Sequence, residues 1–257
     1  MYTKNNFFIA LLGLIILAGA SCTKKGDTGP AVAAGATGPA GPSYTGAISG
    51  HVDLVDQYGG KVLTGLNSAQ ISLNGGAPIN PDATGFYQFG SISTGDYIIS
   101  ASASGYASTV LDKFQFLADT LNKDIKMAAI PNFAFTTFTT YSNPASPAPN
   151  DSLVITFNAD TRAREFIVFV SNNASVSNAV SNYLLVYAKA IPANATKASY
   201  VIYKQDLLDA GISSGQMAYY AVYAYVTNDV SLYEDYTTGK GVYNAVNNQM
   251  VDSAIAP

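Results

Sequence analysis

Gly95-Asp96-Tyr97-Ile98-Ile99-Ser100-Ala101-Ser102-Ala103-Ser104-Gly105-Tyr106 carries the pattern that sets the fold class. Successive side chains of a strand point to opposite faces, so Tyr97, Ile99, Ala101 and Ala103 fall on one side. Ile98, Ser100, Ser102 and Ser104 fall on the other, which is mostly polar. The same period of two recurs in Ile48, Gly50, Val52 and Leu54 against Ser49, His51 and Asp53. It appears again in Ile125, Met127 and Ala129 against Asp124 and Lys126. Charged residues make up only 12% of the 257 residues, while Gly, Ser, Thr, Asn and Tyr are plentiful, a composition of short strands and turns rather than amphipathic helices. The reading is all-β, with two β-sandwich domains in tandem, at 47–131 and 132–257.

In the second domain, strand signals follow one another at 133–141, 153–157, 166–170, 183–187, 200–203 and 218–226, a spacing typical of a sandwich. Asn143-Pro144-Ala145-Ser146-Pro147-Ala148-Pro149 interrupts the first two. The net charge of −4 and the lack of any basic run beyond Lys24-Lys25 argue against nucleic acid as a partner, since phosphates require clustered Lys and Arg. The single cysteine leaves no disulfide framework and no Cys-based zinc site. No cofactor and no metal site is expected.

That cysteine, Cys22, closes an export leader. Lys4 and the amino terminus form a short positive region, and 7–20 is almost uninterruptedly apolar, short for a membrane span and followed at once by polar sequence. Gly19-Ala20-Ser21-Cys22 resembles the lipobox of bacterial lipoproteins, which implies removal of 1–21 and acylation of the Cys22 thiol. Gly19 departs from the aliphatic residue usual there, and Ala18-Gly19-Ala20 also fits an ordinary signal-peptidase site. Buried acyl chains contribute about 0.8 kcal/mol per CH₂, so two or three hold a protein firmly. Thr23 follows where an acidic residue signals retention in some Gram-negative systems, so the resemblance implies the outer membrane, facing either the surface or the periplasm. Residues 22–46 read as a tether: Gly26, Gly29, Gly35, Gly38 and Gly41 keep a collagen-like period of three that Val32 breaks. In an extended state this tether reaches on the order of 60 Å.

Ile48-Ser49-Gly50-His51-Val52, Ala69-Gln70-Ile71-Ser72-Leu73, Ala83-Thr84-Gly85-Phe86-Tyr87-Gln88-Phe89 and the stretch from Gly95 to Tyr106 together resemble the carboxypeptidase regulatory-like domain, a transthyretin-like sandwich that serves as an accessory or spacer module. Leu208, Gly211 and Gly215 before Tyr220-Ala221-Val222-Tyr223-Ala224 resemble the E–F region of a fibronectin type III domain. The strand-B tryptophan of that family is missing, and Phe157 stands in for it. Tyr220, Val222 and Ala224 then face inward.

Several constellations bear on chemistry. Ser49, His51 and Asp53 hold the letters of a catalytic triad, but along one strand and without a nucleophile elbow. Glu165 and Glu234 are the only glutamates for a paired-carboxylate site, with Asp206, Asp209, Asp229 and Asp235 as further carboxyls. Asn80, Asp82 and Thr84 open like a calcium loop, yet Ser91 occupies the place of its closing glutamate. Asp119-Thr120-Leu121, Asp151-Ser152-Leu153 and Asp252-Ser253-Ala254 resemble a short O-glycosylation acceptor of some Gram-negative exported proteins. Among 18 tyrosines, Tyr219, Tyr223 and Tyr225 share the strand face opposite the expected core, and exposed rings there would form a ligand platform. The expectation is a non-enzymatic cell-envelope lipoprotein: a structural or adhesive module held to the membrane by lipid, with a surface protein or a polysaccharide as its partner. Carbohydrate binding through those three tyrosines is the alternative.

Overall fold

A computed structural model describes residues 44–226, 232–235 and 237–257, with the backbone alone at Asp112. The leader, Cys22 and the tether through 43 lie outside the described residues. Residues 43–257 form one compact unit, and within it the strands pack around two separate cores.

The first body contains β1 (Thr45–Val55), β2 (Lys61–Val62), β3 (Gln70–Leu73), β4 (Phe86–Ser93), β5 (Gly95–Ser102), β6 (Thr109–Phe116), β7 (Thr120–Asn122) and β8 (Ile125–Ala128). β1 organises one sheet: β4 and β2 pair with it antiparallel, β7 and β8 parallel. The second sheet has the order β3-β5-β6. Between them Ile48, Val52, Leu54, Ile71, Ile99, Ile125 and Met127 are fully buried, as their alternation predicts. Burial of each such side chain is worth about 1.5–3 kcal/mol. Gly50 sits in mid-strand because the chain approaches closely: a Cβ there would lie 2.1 Å from the Lys123 carbonyl oxygen. The same carbonyl accepts the hydroxyl of buried Tyr87.

The second body contains β9 (Phe135–Asn143), β10 (Asn150–Phe157), β11 (Arg164–Ser171), β12 (Leu185–Ile191), β13 (Lys197–Tyr203), α1 (Lys204–Asp209), β14 (Met217–Tyr225), β15 (Tyr233–Asp235), β16 (Lys240–Val242) and β17 (Val246–Ile255). A sheet of order β13-β10-β9 packs on one of order β12-β11-β14-β17, all antiparallel. Phe138, Leu153, Ile155, Phe157, Phe166, Val168, Tyr220, Val222 and Ala224 fill the space between. The Arg164 guanidinium lies 4.8 Å from the Phe133 ring centroid and 5.1 Å from that of Phe157, and closes one end of this core. One expectation is corrected: the strand expected at 183–187 lies at Leu185–Ile191, and Tyr183 packs outside it. On α1 Leu207 is buried and Leu208 is exposed.

The two bodies meet in a joint with polar and apolar parts. Ala107, Ala128, Val226 and Ala245 are buried together, against Val55. Small side chains let the strands and loops approach closely. Beside them the Tyr58 hydroxyl donates to Asp160 Oδ2 at 2.9 Å, while the Arg162 guanidinium stacks 3.3 Å from the Tyr58 ring centroid. The Gln57 side chain accepts the Asn132 backbone N–H, and Asn244 Nδ2 donates to the Ser108 carbonyl. Asp160 is held below the ordinary carboxylate range, first by the Arg162 backbone N–H and then by the Tyr58 hydroxyl. The expected consequence is one cooperative thermal transition for the intact protein. Tyr58→Ala combined with Arg162→Ala should split it into two in scanning calorimetry; a single unshifted transition in the double variant would remove this joint as the coupling element.

Candidate functional site

Tyr219, Tyr223 and Tyr225 do share one face of β14, opposite the main core. Tyr219 is half-buried, and the other two are not open to solvent. Tyr223 and Tyr225 are each only 6% exposed, because the residues around Val176 and Tyr183 and the segment carrying Tyr243 and Val246 fold over that face. Phe169 is the centre of this second layer, with ring centroids of Tyr183, Tyr223 and Tyr243 at 5.1, 5.5 and 5.5 Å. Edge-on contacts of this kind add to the burial of apolar area.

Polar bonds fix the cover in place. Asn178 donates its backbone N–H to the Tyr223 hydroxyl and its Nδ2 to the Tyr243 carbonyl. Gln249 Nε2 reaches the Val176 carbonyl, and the Tyr183 hydroxyl donates to the Gly241 carbonyl at 2.6 Å. Lys240 Nζ is spent on the carbonyls of Val180 and Tyr183, above the Tyr183 ring. Burial pushes the Tyr183 phenol up to about 12, aided by Tyr243 and Asp235, and raises that of Tyr223.

Several other sequence candidates are tied up structurally, and Asp229 lies outside the described residues. Lys61 Nζ takes the Asp53 carboxylate at 2.7 Å, whereas exposed His51 has Nδ1 4.0 Å from Asp124, so Ser49, His51 and Asp53 do not form a relay. Asp82 Oδ1 accepts the Thr84 hydroxyl and the N–H groups of Thr84 and Phe86; the Thr84 hydroxyl is the largest influence holding its carboxyl below the usual range. Asn80 is turned to the Ala69 carbonyl. This is a turn leading into β4, not an open calcium loop. Asp235 likewise takes Thr237 and Thr238 within the β15–β16 turn. Burial raises the Glu165 carboxyl. Among the described residues no group of three or more metal-ligating side chains comes together.

Of the three short acceptor-like motifs, the one at 151–153 has its aspartate inside the core. Asp151 is fully buried and accepts the hydroxyl of equally buried Tyr220 across the two sheets. Burial raises its carboxyl above the ordinary value, against the lowering effect of that hydrogen bond.

Several concavities open on the described residues. A cleft of about 680 Å³ runs between the bodies, from Thr109, Val110 and Lys126 on one wall to Tyr233 and Glu234 on the other. It adjoins a smaller hollow reaching Ile98 and Lys113. A separate hollow of about 540 Å³ lies on the second body, beside the 144–146 turn. Large exposed tyrosines of the second body stand on that side: Tyr141 and Tyr203, on the β13-β10-β9 sheet. Sequence reasoning passed over both. Each sits at an outward position of its strand's alternation, which is the signal that could have found it.

No known family model matches the sequence, and no curated protein is significantly similar to it. Solved structures with distant likeness include one described as a "putative carbohydrate binding protein" from Bacteroides uniformis, at 15% identity over 82% of this chain and 100% of that one, with a TM-score of 0.32. Two DUF3823 family proteins also appear. The one from Bacteroides uniformis is 13% identical over 84% of this chain and 100% of its own, with a TM-score of 0.26. The one from Parabacteroides merdae is 13% identical over 81% of this chain and 100% of its own, also with a TM-score of 0.26. Likeness this distant assigns no ligand.

Two outcomes follow from the buried groups. Tyr223→Ala empties part of the second layer and should cost about 3 kcal/mol in urea unfolding; a loss below about 0.5 kcal/mol would mean the ring is not enclosed. For Asp151 the raised folded-state pKa means that the native state binds more protons than the unfolded chain just above the ordinary carboxylate range. Stability therefore falls as pH rises through that window. Asp151→Asn removes the titration, so the melting temperature of the variant relative to wild type should climb from pH 4 to pH 8. A difference that is flat or of the opposite sign would contradict the burial of the charge.

Proposed function

We propose that this chain is a non-enzymatic lipoprotein of the cell envelope, acylated at Cys22 and carried to the outer membrane. Its work is to hold two sandwiches in fixed relation at the end of an extended tether. The joint around Tyr58, Asp160 and Arg162 carries this reading. A module that displays a binding face at a distance gains from a stiff connection, because orientation fixed in advance lowers the entropy lost on binding.

The finer reading is a regulatory-like sandwich over 47–131 followed by a fibronectin-like sandwich over 132–257. The separate cores support the division. For the second domain the strand order β13-β10-β9 against β12-β11-β14-β17 supports the resemblance, as does the inward run of Tyr220, Val222 and Ala224 with Phe157 in the core. Non-enzymatic action is supported by the structural use of Asp53, Asp82 and Asp235, each tied to a lysine or a turn. The membrane is engaged through lipid, and the displayed surface meets a protein or a polysaccharide. Tyr219, Tyr223 and Tyr225 no longer motivate the polysaccharide.

Metabolic labelling of the full chain with an alkyne fatty acid tests the anchor. Wild type should take up label and fractionate with membranes, and Cys22→Ala should lose both. A mature chain beginning at Ser21 with an unmodified thiol would overturn the reading.

A further inference from the structure

The outward face of the β13-β10-β9 sheet is organised by register into short rows. Tyr203 aligns with Asn150 and Asn143, and Val201 with Ser152 and Tyr141. Tyr141 is 54% exposed, Tyr203 51% and Val201 39%. Two inter-strand steps and one two-residue step along the strands place the Cα atoms of the tyrosines about 12 Å apart. The middle of the face is polar and already ordered. Asn143 Nδ2 donates to Asn150 Oδ1 at 3.1 Å and to Ser152 Oγ at 3.0 Å, and Asn150 Nδ2 to the Ala148 carbonyl at 2.8 Å. The hollow of about 540 Å³ beside them is lined by Asn143, Pro144, Ser146, Asn150, Ser152 and their neighbours, with no charged side chain.

We propose that this face binds a neutral oligosaccharide longer than a disaccharide, with Tyr141 and Tyr203 stacking on separate sugar rings and Asn143, Asn150 and Ser152 bonding hydroxyls between them. A sugar ring offers a C–H face to an aromatic plane and a rim of hydroxyls to amides, and this face presents both in alternation. The uncharged lining of the hollow suits an uncharged ligand: a carboxylate or sulfate brought into it would lose water without gaining a cation there. The same arrangement disfavours a protein partner, because Asn150 and Ser152 on the central strand separate Tyr203 and Val201 from Tyr141 and leave no dry apolar centre. The polar groups sit at strand ends and on paired strands, so little order remains to be imposed by the ligand. The assignment goes beyond the display reading and does not depend on acylation at Cys22.

The test uses the full chain in a non-glycosidic detergent on an array of neutral gluco-, manno-, xylo- and galacto-oligosaccharides, followed by titration calorimetry on any glycan retained. One neutral class should bind. Tyr141→Ala and Tyr203→Ala should each weaken it at least about tenfold. Tyr141→Leu, which keeps bulk but not the flat face, should fall with the alanine variant, whereas Tyr141→Phe and Tyr203→Phe should stay within about threefold. Tyr44→Ala, an exposed ring just before β1 in the first body, should change nothing. The proposal is overturned if no neutral glycan is retained, if only charged glycans are, or if the folded Tyr141→Ala and Tyr203→Ala double variant binds undiminished. A dimer in light scattering that dissociates on Tyr141→Ala would also overturn it, by showing that the face is taken by a second copy.

Discussion

Seven consecutive residue pairs, from Glu165↔Tyr225 to Ser171↔Tyr219, tie β11 to β14, and nearly every residue in both strands is buried. A strand pair that is apolar on both faces must be covered on both faces. The β13-β10-β9 sheet covers one side. The other is closed largely by irregular chain around Val176, Tyr183 and Tyr243, whose carbonyls accept from Gln249, Lys240 and Asn178 across the layer. An irregular cover leaves backbone groups without ladder partners, and side-chain amides and an ammonium satisfy them here.

The same constraint sorts the tyrosines of the second body. Those on β14 supply packing, and the hydroxyls of Tyr220 and Tyr223 are bonded within the fold, to Asp151 and to the Asn178 N–H. Tyr141 and Tyr203, on the β13-β10-β9 sheet, lie on its outward face, which nothing in the described chain covers, whereas Tyr200 on the same sheet packs toward the core. One residue type thus does two kinds of work, decided by which face of its strand it occupies and what lies above that face.

The alternation of Ile48, Val52 and Leu54, or of Tyr220, Val222 and Ala224, was legible in the sequence because a period of two is a local property. Which face lay outward on β14 was equally legible. Whether that face met water was not, since the cover comes from residues some 40 positions upstream and 20 downstream, with no periodicity of their own. β17 was missed for a related reason. Asn247, Asn248, Gln249, Asp252 and Ser253 give it a polar composition, and it becomes a strand by pairing with β14. The joint was invisible as well, because Ala107, Ala128, Val226 and Ala245 are common residues whose meeting depends on the tertiary arrangement.

The central claim is that the rings of Tyr220, Tyr223 and Tyr225 on β14 are enclosed while those of Tyr141 and Tyr203 on the opposite sheet are open. Tyrosine nitration of the folded full chain, mapped by mass spectrometry, tests it most directly. The account predicts early modification at Tyr141 and Tyr203, with Tyr220 and Tyr223 reacting only as the protein unfolds. Modification of Tyr223 and Tyr225 as rapid as that of Tyr141 and Tyr203 would contradict it.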